Sequence, residues 1–145
     1  MSSASRKTGL SSQPDVPAVA AAIRRRVPDV ISAYLFGSFA RGDQRRESDL
    51  DIAVLTNREL PPVERFEAAA SIAHELGNDV DLIDLRRAST VLRCHAVAHG
   101  KRVIGGDSGE GAVFEDFVYA DYARLNEERA GILKDLMARG SIRGR

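Results

Sequence analysis

The sequence has few sulfur-containing and histidine residues, and this limits the kinds of site it can form. Its single cysteine, Cys94, cannot make a disulfide within the chain, and no group of cysteines and histidines has the spacing of a zinc site. A reducing cytoplasm fits this composition and is the location we expect. The apolar run at 30–40 is interrupted by serine and glycine and falls far short of the roughly 20 residues that cross a bilayer. We therefore expect no transmembrane helix.

The chain also has no excess of charge of either sign, because Lys plus Arg and Asp plus Glu both total 21. It therefore has no net positive field to hold a nucleic-acid backbone, and a polyanionic ligand must be bound locally. The length of 145 residues and the 43% hydrophobic content match one globular domain. We expect this domain at 15–139, with flexible tails at 1–14 and 140–145. The first tail lacks the apolar segment of a secretory signal.

Apolar periodicity predicts an alternation of helices and strands along the domain. Pro28 and Gly77 are expected to end the first two helices. The order indicates an α+β fold in which a small mixed sheet is flanked by helices. The last helix carries a long apolar stripe, so we expect it to pack across the sheet or to contact a partner. The predicted helices are at 16–27, 61–76, 88–98 and 113–139, and the predicted strands are at 30–36, 49–55, 79–85 and 101–104.

Two carboxylates, Asp49 and Asp51, stand two residues apart in the second predicted strand. Alternate residues of a strand project from the same face, so these side chains are expected roughly 6 to 7 Å apart. Oxygen ligands at that spacing can share Mg²⁺, which binds one or two carboxylates together with phosphate oxygens and water. The alternative is an edge strand that carries solvated acids.

A glycine and a serine, Gly37 and Ser38, follow the first predicted strand directly. Glycine allows the backbone to approach a phosphate closely, and Ser38 can cap a short helix whose free N–H groups bind anions. Arg41 and Arg46 can add charge-assisted contacts to a triphosphate. By itself a Gly-Ser pair after a strand is an ordinary turn, and its distance from the carboxylates is what makes it informative.

Gly37-Ser38, ten intervening residues and then Asp49-x-Asp51 resemble the signature of the polymerase-β-like nucleotidyltransferases, carried by GSFARGDQRRESDLDIAVL. The family needs a third acid on a neighbouring strand, and Asp81 in the segment VDLI matches it. The resemblance implies that Asp49 and Asp51 bind two Mg²⁺ ions. It also implies that Asp81 helps to hold the catalytic metal and to deprotonate the attacking hydroxyl. Asp79 and Asp84 compete for this third role, although a place at the strand entrance and a cap of the next helix are the simpler interpretations of them.

The size of the chain, the GSFARG turn, the VDLIDL strand and the closing helix FEDFVYADYARLNEERAGILKDL resemble the MntA-like antitoxins of HEPN/MNT pairs over about residues 16–139. The resemblance implies transfer of AMP from ATP to a tyrosine of a HEPN ribonuclease toxin. It is compatible with a homo- or hetero-oligomer. We do not expect a membrane partner, or nucleic acid as the direct substrate.

Three other functions stay open. The same acids would serve a small-molecule nucleotidyltransferase that modifies an antibiotic hydroxyl, and the last helix would serve an antitoxin that only binds. Arg93 and His99 have the spacing of the HEPN ribonuclease motif, but HEPN domains are all helical and this chain has strand-like runs. His74, His95 and His99 fall in predicted helices, where surface or packing roles are expected.

Overall fold

The computed structural model describes residues 15–36, 49–106 and 109–143, with the backbone course alone at 140–143. The predicted tail at 1–14 and the last two residues of the chain lie outside these ranges. So do Gly37, Ser38, Arg41 and Arg46. The fold and the carboxylates are therefore described by the structure, whereas the Gly-Ser turn remains a prediction from the sequence.

In the described ranges the chain forms four helices and four strands, and every predicted element is present in the predicted order. Most boundaries agree within two residues. The elements are α1 (Val16–Arg26), β1 (Val30–Phe36), β2 (Leu50–Thr56), α2 (Pro62–Leu76), β3 (Val80–Asp84), α3 (Thr90–His99), β4 (Lys101–Ile104) and α4 (Gly109–Arg143).

Local signals in the sequence account for several of these boundaries. The Asp15 carboxylate accepts a hydrogen bond from the Ala18 N–H at 3.1 Å and caps α1. The Ser89 hydroxyl caps α3 in the same way, at 3.1 Å from the Leu92 nitrogen. Gly77 ends α2 with a φ of 77°, a left-handed conformation that glycine adopts without steric cost. The predicted stop at Gly77 is thus confirmed.

The four strands form one mixed sheet in the order β3-β2-β1-β4. β1 is antiparallel to both β2 and β4, whereas β2 and β3 are parallel. The starts of β2 and β3 therefore meet the end of β1 at one edge of the sheet, which we call the carboxylate edge. The predicted mixed sheet is confirmed.

Apolar residues cover both faces of the sheet, because successive side chains of a strand point to opposite sides. On the back face, α1 and α2 pack over one core cluster that includes Leu35, Ile52 and Leu82. On the front face, α3 and the first part of α4 pack over a second cluster that includes Tyr34, Ala53 and Leu55. Two apolar layers of this kind supply most of the stabilisation, at about 1.5 to 3 kcal/mol for each large side chain fully buried.

The long helix α4 packs on the rest of the domain only through its first half. Val118 is buried, but Ile132, Leu133 and Leu136 are 60%, 55% and 49% exposed. The helix begins at Gly109 instead of Val113, and it continues through Gly140 to Arg143, into the range expected to be a tail. One glycine costs a helix only about 1 kcal/mol relative to alanine, so Gly140 does not stop it. In the described parts of the chain, no helix is apolar enough over a sufficient length to cross a membrane.

Candidate active site

The two central carboxylates are brought together by the register of β2 on β3. Asp51 and Asp81 are direct partners in this parallel pair. Neighbouring strands lie roughly 4.8 Å apart, so the two backbones are in contact at this level. Ala53 and Ile83, each two residues further on, pack in the front cluster. Asp51 and Asp81 therefore project from the front face, next to each other.

Asp49 lies one residue before β2 and is exposed to solvent. The strand entrance at this point is held by the Leu50 N–H, which donates a hydrogen bond of 2.8 Å to the Asp79 carbonyl. Asp81 is also exposed and Asp51 is half-buried. All three acids named as site residues thus lie at the carboxylate edge, and solvent reaches Asp49 and Asp81.

Phe36 forms the other side of the site, opposite Asp51 in the antiparallel β1–β2 pair. It is the last residue of β1, so Gly37 and Ser38 follow it directly in the sequence. The chain therefore enters the predicted phosphate-binding turn at a position adjacent to the carboxylates. This explains why a fixed number of residues between the Gly-Ser pair and the acids is informative.

The other two acids near β3 have different environments. Asp84 is 4% exposed, and its carboxylate accepts hydrogen bonds from the Leu60 N–H at 2.8 Å and the Arg86 N–H at 3.0 Å. It fixes a loop and a turn, whereas the helix cap expected of it is supplied by Ser89. Asp79 is exposed and lies one residue before the start of β3, two residues before Asp81 in the chain. Burial and hydrogen bonding thus give Asp84 a structural role.

The donor set suits a hard cation that is shared with a phosphate. The described residues contain no group of three or more His, Cys, Asp or Glu side chains placed to hold a metal ion by themselves. Mg²⁺ keeps several waters and commonly takes only one or two protein carboxylates, with substrate phosphates completing its ligands. Adjacent carboxylates on Asp51 and Asp81, with Asp49 nearby, fit that mode of binding.

Arg93, the residue that suggested a HEPN ribonuclease motif, has a structural role. Its guanidinium donates hydrogen bonds to the carbonyls of Leu85 and Arg86 at 2.7 and 2.8 Å. It also lies over the Phe114 ring, 5.8 Å from the centroid. These contacts join the turn after β3 to α3 and α4. Together with the four-stranded sheet, they remove the all-helical interpretation.

Polar contacts fix the first half of α4 against the sheet. Glu115 accepts hydrogen bonds from the Tyr34 hydroxyl and from Arg102, the latter at 2.8 Å. Burial, followed by the contact with Glu115, raises the pKa of Tyr34 well above its ordinary value, so the phenol stays neutral. Asp121 accepts a hydrogen bond from the Thr90 hydroxyl at 2.7 Å, which lowers the pKa of its carboxyl. The start of α4 is therefore fixed relative to β1, β4 and α3.

One group of rings near the site was not predicted from the sequence. The His95 ring contacts the Phe36 ring edge-on at 6.0 Å between centroids, and the His99 ring lies 5.5 Å from His95. Both histidines are exposed, as expected, but they also border a small cleft with Tyr122. Their spacing of four residues on one helix was the signal that they share a face.

Comparison with known sequences shows which proteins this chain is similar to. Residues 20–108 match the family model described as Polymerase beta, Nucleotidyltransferase. The chain is 41% identical over 116 residues to the protein adenylyltransferase MntA of Shewanella oneidensis, covering 80% of this chain and 83% of that protein. The span matched by the family model includes Asp49, Asp51 and Asp81.

Solved structures show the same similarity. A crystal structure of a toxin–antitoxin with AMP-PNP contains a chain that is 38% identical, with a TM-score of 0.74, over 86% of this chain and 99% of that one. A chain from a structure of the tri-AMPylated S. oneidensis HEPN toxin in complex with MNT antitoxin is 35% identical, with a TM-score of 0.67, over 84% and 95%. A chain of a toxin–antitoxin MntA-HepT crystal structure matches with the same identity and TM-score, over 84% and 96%.

Proposed function

Because the chain belongs to the polymerase-β nucleotidyltransferase family, we propose that it is a Mg²⁺-dependent protein adenylyltransferase that transfers AMP from ATP to a tyrosine hydroxyl of a HEPN ribonuclease toxin. The observation that carries the proposal is the direct pairing of Asp51 with Asp81 on adjacent strands. This pairing supports the assignment of Asp81 as a third acid beside Asp49 and Asp51, the pair in the family signature. We also propose that the protein acts in the cytoplasm, where ATP and such a toxin are available.

The relatives support both the donor and the acceptor. The S. oneidensis relative is a protein adenylyltransferase, one similar structure contains AMP-PNP, and another contains an AMPylated HEPN toxin with its MNT antitoxin. This chain covers most of the length of each of these matched chains. The likeness to these relatives therefore extends over at least 80% of this chain.

In the proposed reaction the acceptor hydroxyl oxygen attacks the α-phosphorus of ATP. A new P–O bond forms to the acceptor, the bond to the β-phosphate oxygen breaks, and pyrophosphate leaves. Asp81 accepts the hydroxyl proton and would help to hold the catalytic cation, and Asp49 and Asp51 would hold the divalent cations. A bound Mg²⁺ neutralises the charge that develops on the phosphates. Orientation and electrostatics carry reactions of this type, so a protein nucleophile is not required.

The Gly-Ser turn supplies the other half of the proposed site. Backbone N–H groups after Gly37 and the Ser38 hydroxyl bind the β- and γ-phosphates, and Arg41 and Arg46 add positive charge. Support for this assignment comes from the sequence spacing and from the position of Phe36, which ends β1 opposite Asp51. A serine-to-alanine change at Ser38 tests it separately from the carboxylates.

The direct test incubates α-labelled ATP, Mg²⁺ and the cognate HEPN toxin with the wild-type protein or with Asp51→Asn. We expect label on the toxin with the wild type, and a loss of about 100-fold or more in the variant, since the metal-binding charge is removed. A His74→Ala variant on the back-face helix α2 serves as the control and should transfer label normally. Label on an aminoglycoside or another small hydroxyl compound, with none on the toxin, would support the small-molecule alternative instead.

A binding antitoxin without catalysis is a second candidate, favoured by one observation. The second half of α4 exposes apolar side chains, including Ile132 and Leu133, among the residues that the structure describes. Such a helix can contact a partner without chemistry at the carboxylates. Cells carrying the toxin distinguish the two functions: protection that persists after Asp49→Ala and Asp51→Ala would contradict the catalytic proposal.

A further inference from the structure

A small cleft opens between α3 and α4 on the front face of the domain. It has a volume of about 160 Å³ and is lined by Val91, Cys94, His95, His99 and Tyr122. Three of these five side chains are flat rings, and none is acidic. Burial raises the pKa of the Cys94 thiol, so it remains a neutral group at this position. The lining thus combines aromatic and apolar surface without negative charge.

The cleft is connected to the carboxylate edge by a continuous series of side chains. Asp81 and Asp51 are neighbours across β3 and β2, and Asp51 is opposite Phe36 across β1. The Phe36 ring contacts His95, and His95 contacts His99. His95, which lines one side of the cleft, therefore contacts Phe36, the residue that pairs with Asp51.

Close packing of α3 on β1 keeps the two histidines at this place. Gly100 follows α3, and a Cβ there would lie 2.3 Å from the Ala96 carbonyl oxygen and 3.0 Å from the Leu35 carbonyl oxygen. A side chain does not fit at those distances, so glycine allows the end of α3 to approach the end of β1. The His95 ring is thereby held against Phe36, the last residue of β1.

We propose that this cleft binds the nucleobase of the nucleoside triphosphate, with the His95, His99 and Tyr122 rings packing against the planar base. The inference rests on the proposed use of such a triphosphate and adds the subsite that holds its base. A triphosphate bound by the Gly-Ser turn and the carboxylates carries its base on the ribose, away from the phosphates. Aromatic side chains stabilise a nucleobase by stacking, which contributes to affinity without requiring a hydrogen-bond pattern.

The test compares two ligands that share the phosphates but differ in the base. Binding of ATP and of inorganic triphosphate, each with Mg²⁺, is measured by calorimetry for the wild type and for the His95→Ala/His99→Ala double variant. We expect the variant to bind ATP about tenfold more weakly, the loss typical of removed stacking contacts, and to bind triphosphate unchanged. The His74→Ala variant on α2 is the matched control and should bind both ligands as the wild type does.

A second variant keeps the test decisive if alanine disturbs α3. His99→Phe retains a flat ring at the cleft and should preserve most of the ATP affinity. The inference is overturned if ATP affinity is unchanged in the alanine variant, or if ATP and triphosphate weaken by the same factor. It is also overturned if only transfer to the toxin falls, since the cleft would then bind the acceptor. A wild-type protein that binds ATP in this way but labels no toxin would contradict the proposed function and leave the base subsite standing.

Discussion

At the scale of single residues, three acids within one short stretch of chain have different surroundings. Asp79 is exposed before β3 and Asp81 is exposed within it, in register with Asp51. Asp84 is buried and accepts two backbone hydrogen bonds. A buried carboxylate that accepts backbone hydrogen bonds serves the structure, whereas an exposed one beside another carboxylate is available to a cation and a substrate.

Asp81→Asn is expected to lower the rate of AMP transfer to the toxin by about 100-fold or more, the usual contribution of a group that assists proton transfer. Because Asp81 is exposed, the free energy of unfolding should change by less than about 0.5 kcal/mol. Single-turnover labelling and urea denaturation measure the two quantities.

Asp79→Asn is the matched control, two residues earlier on the same chain and also exposed. It should retain near wild-type transfer. A large loss with Asp79→Asn and a small one with Asp81→Asn would reassign the third acid.

The sequence predicted much of the site at this scale. Asp49, Asp51 and Asp81 were named from spacing and resemblance, and the structure brings Asp51 and Asp81 together. Their assignment as metal and catalytic ligands remains a prediction. The histidine cleft, lined by His95, His99 and Tyr122 among others, was not predicted. It depends on how α3 lies against β1 and α4, and no short motif encodes the packing of three separate elements.

At the scale of elements, α4 divides into a packed half and a half that extends from the domain. Val118 is buried, Phe114 packs against the front cluster, and Glu115 and Asp121 form hydrogen bonds to neighbouring elements. From Asn126 to Arg139 every side chain is exposed. The apolar stripe predicted from the sequence is therefore buried for only part of its length, and its remainder is available for contact with another protein.

This division predicts opposite outcomes for two truncations of apolar side chains on the same helix. Val118→Ala should lower the free energy of unfolding by roughly 1 to 3 kcal/mol, since it removes buried methyl groups and leaves a cavity. Ile132→Ala should change the free energy by less than about 0.5 kcal/mol, because the side chain is 60% exposed. Urea denaturation of both variants, monitored by circular dichroism, measures these changes in the free energy of unfolding. Equal destabilisation would indicate that the second half of α4 packs on the domain.

At the scale of the whole molecule, folding and the proposed chemistry depend on different parts of the structure. Apolar clusters on both faces of the sheet hold the domain together. The described residues include no cluster of potential metal ligands that could act as a structural centre. The carboxylates lie at one edge, where their repulsion in the absence of cations is screened by water.

Removal of divalent metal should therefore abolish activity and leave the fold intact. With excess EDTA, label transfer from ATP to the toxin is expected to disappear, and addition of Mg²⁺ should restore it. The free energy of unfolding measured by urea denaturation should change by less than about 0.5 kcal/mol. Metals that support folding are bound in structural centres. A marked loss of stability on chelation would show that a cation is part of the folded core.

The sequence by itself determined the elements, their order and the acidic signature, because periodicity, caps and motif spacing are local properties of the chain. Pro28, Gly77 and the strand from Val30 to Phe36 were all placed correctly from such signals. The tertiary structure alone decided the pairing of Asp51 with Asp81, the burial of Asp84 and the position of the histidine cleft. These features join residues far apart in the chain, and they follow from sheet register and helix packing, which form only when the whole domain folds.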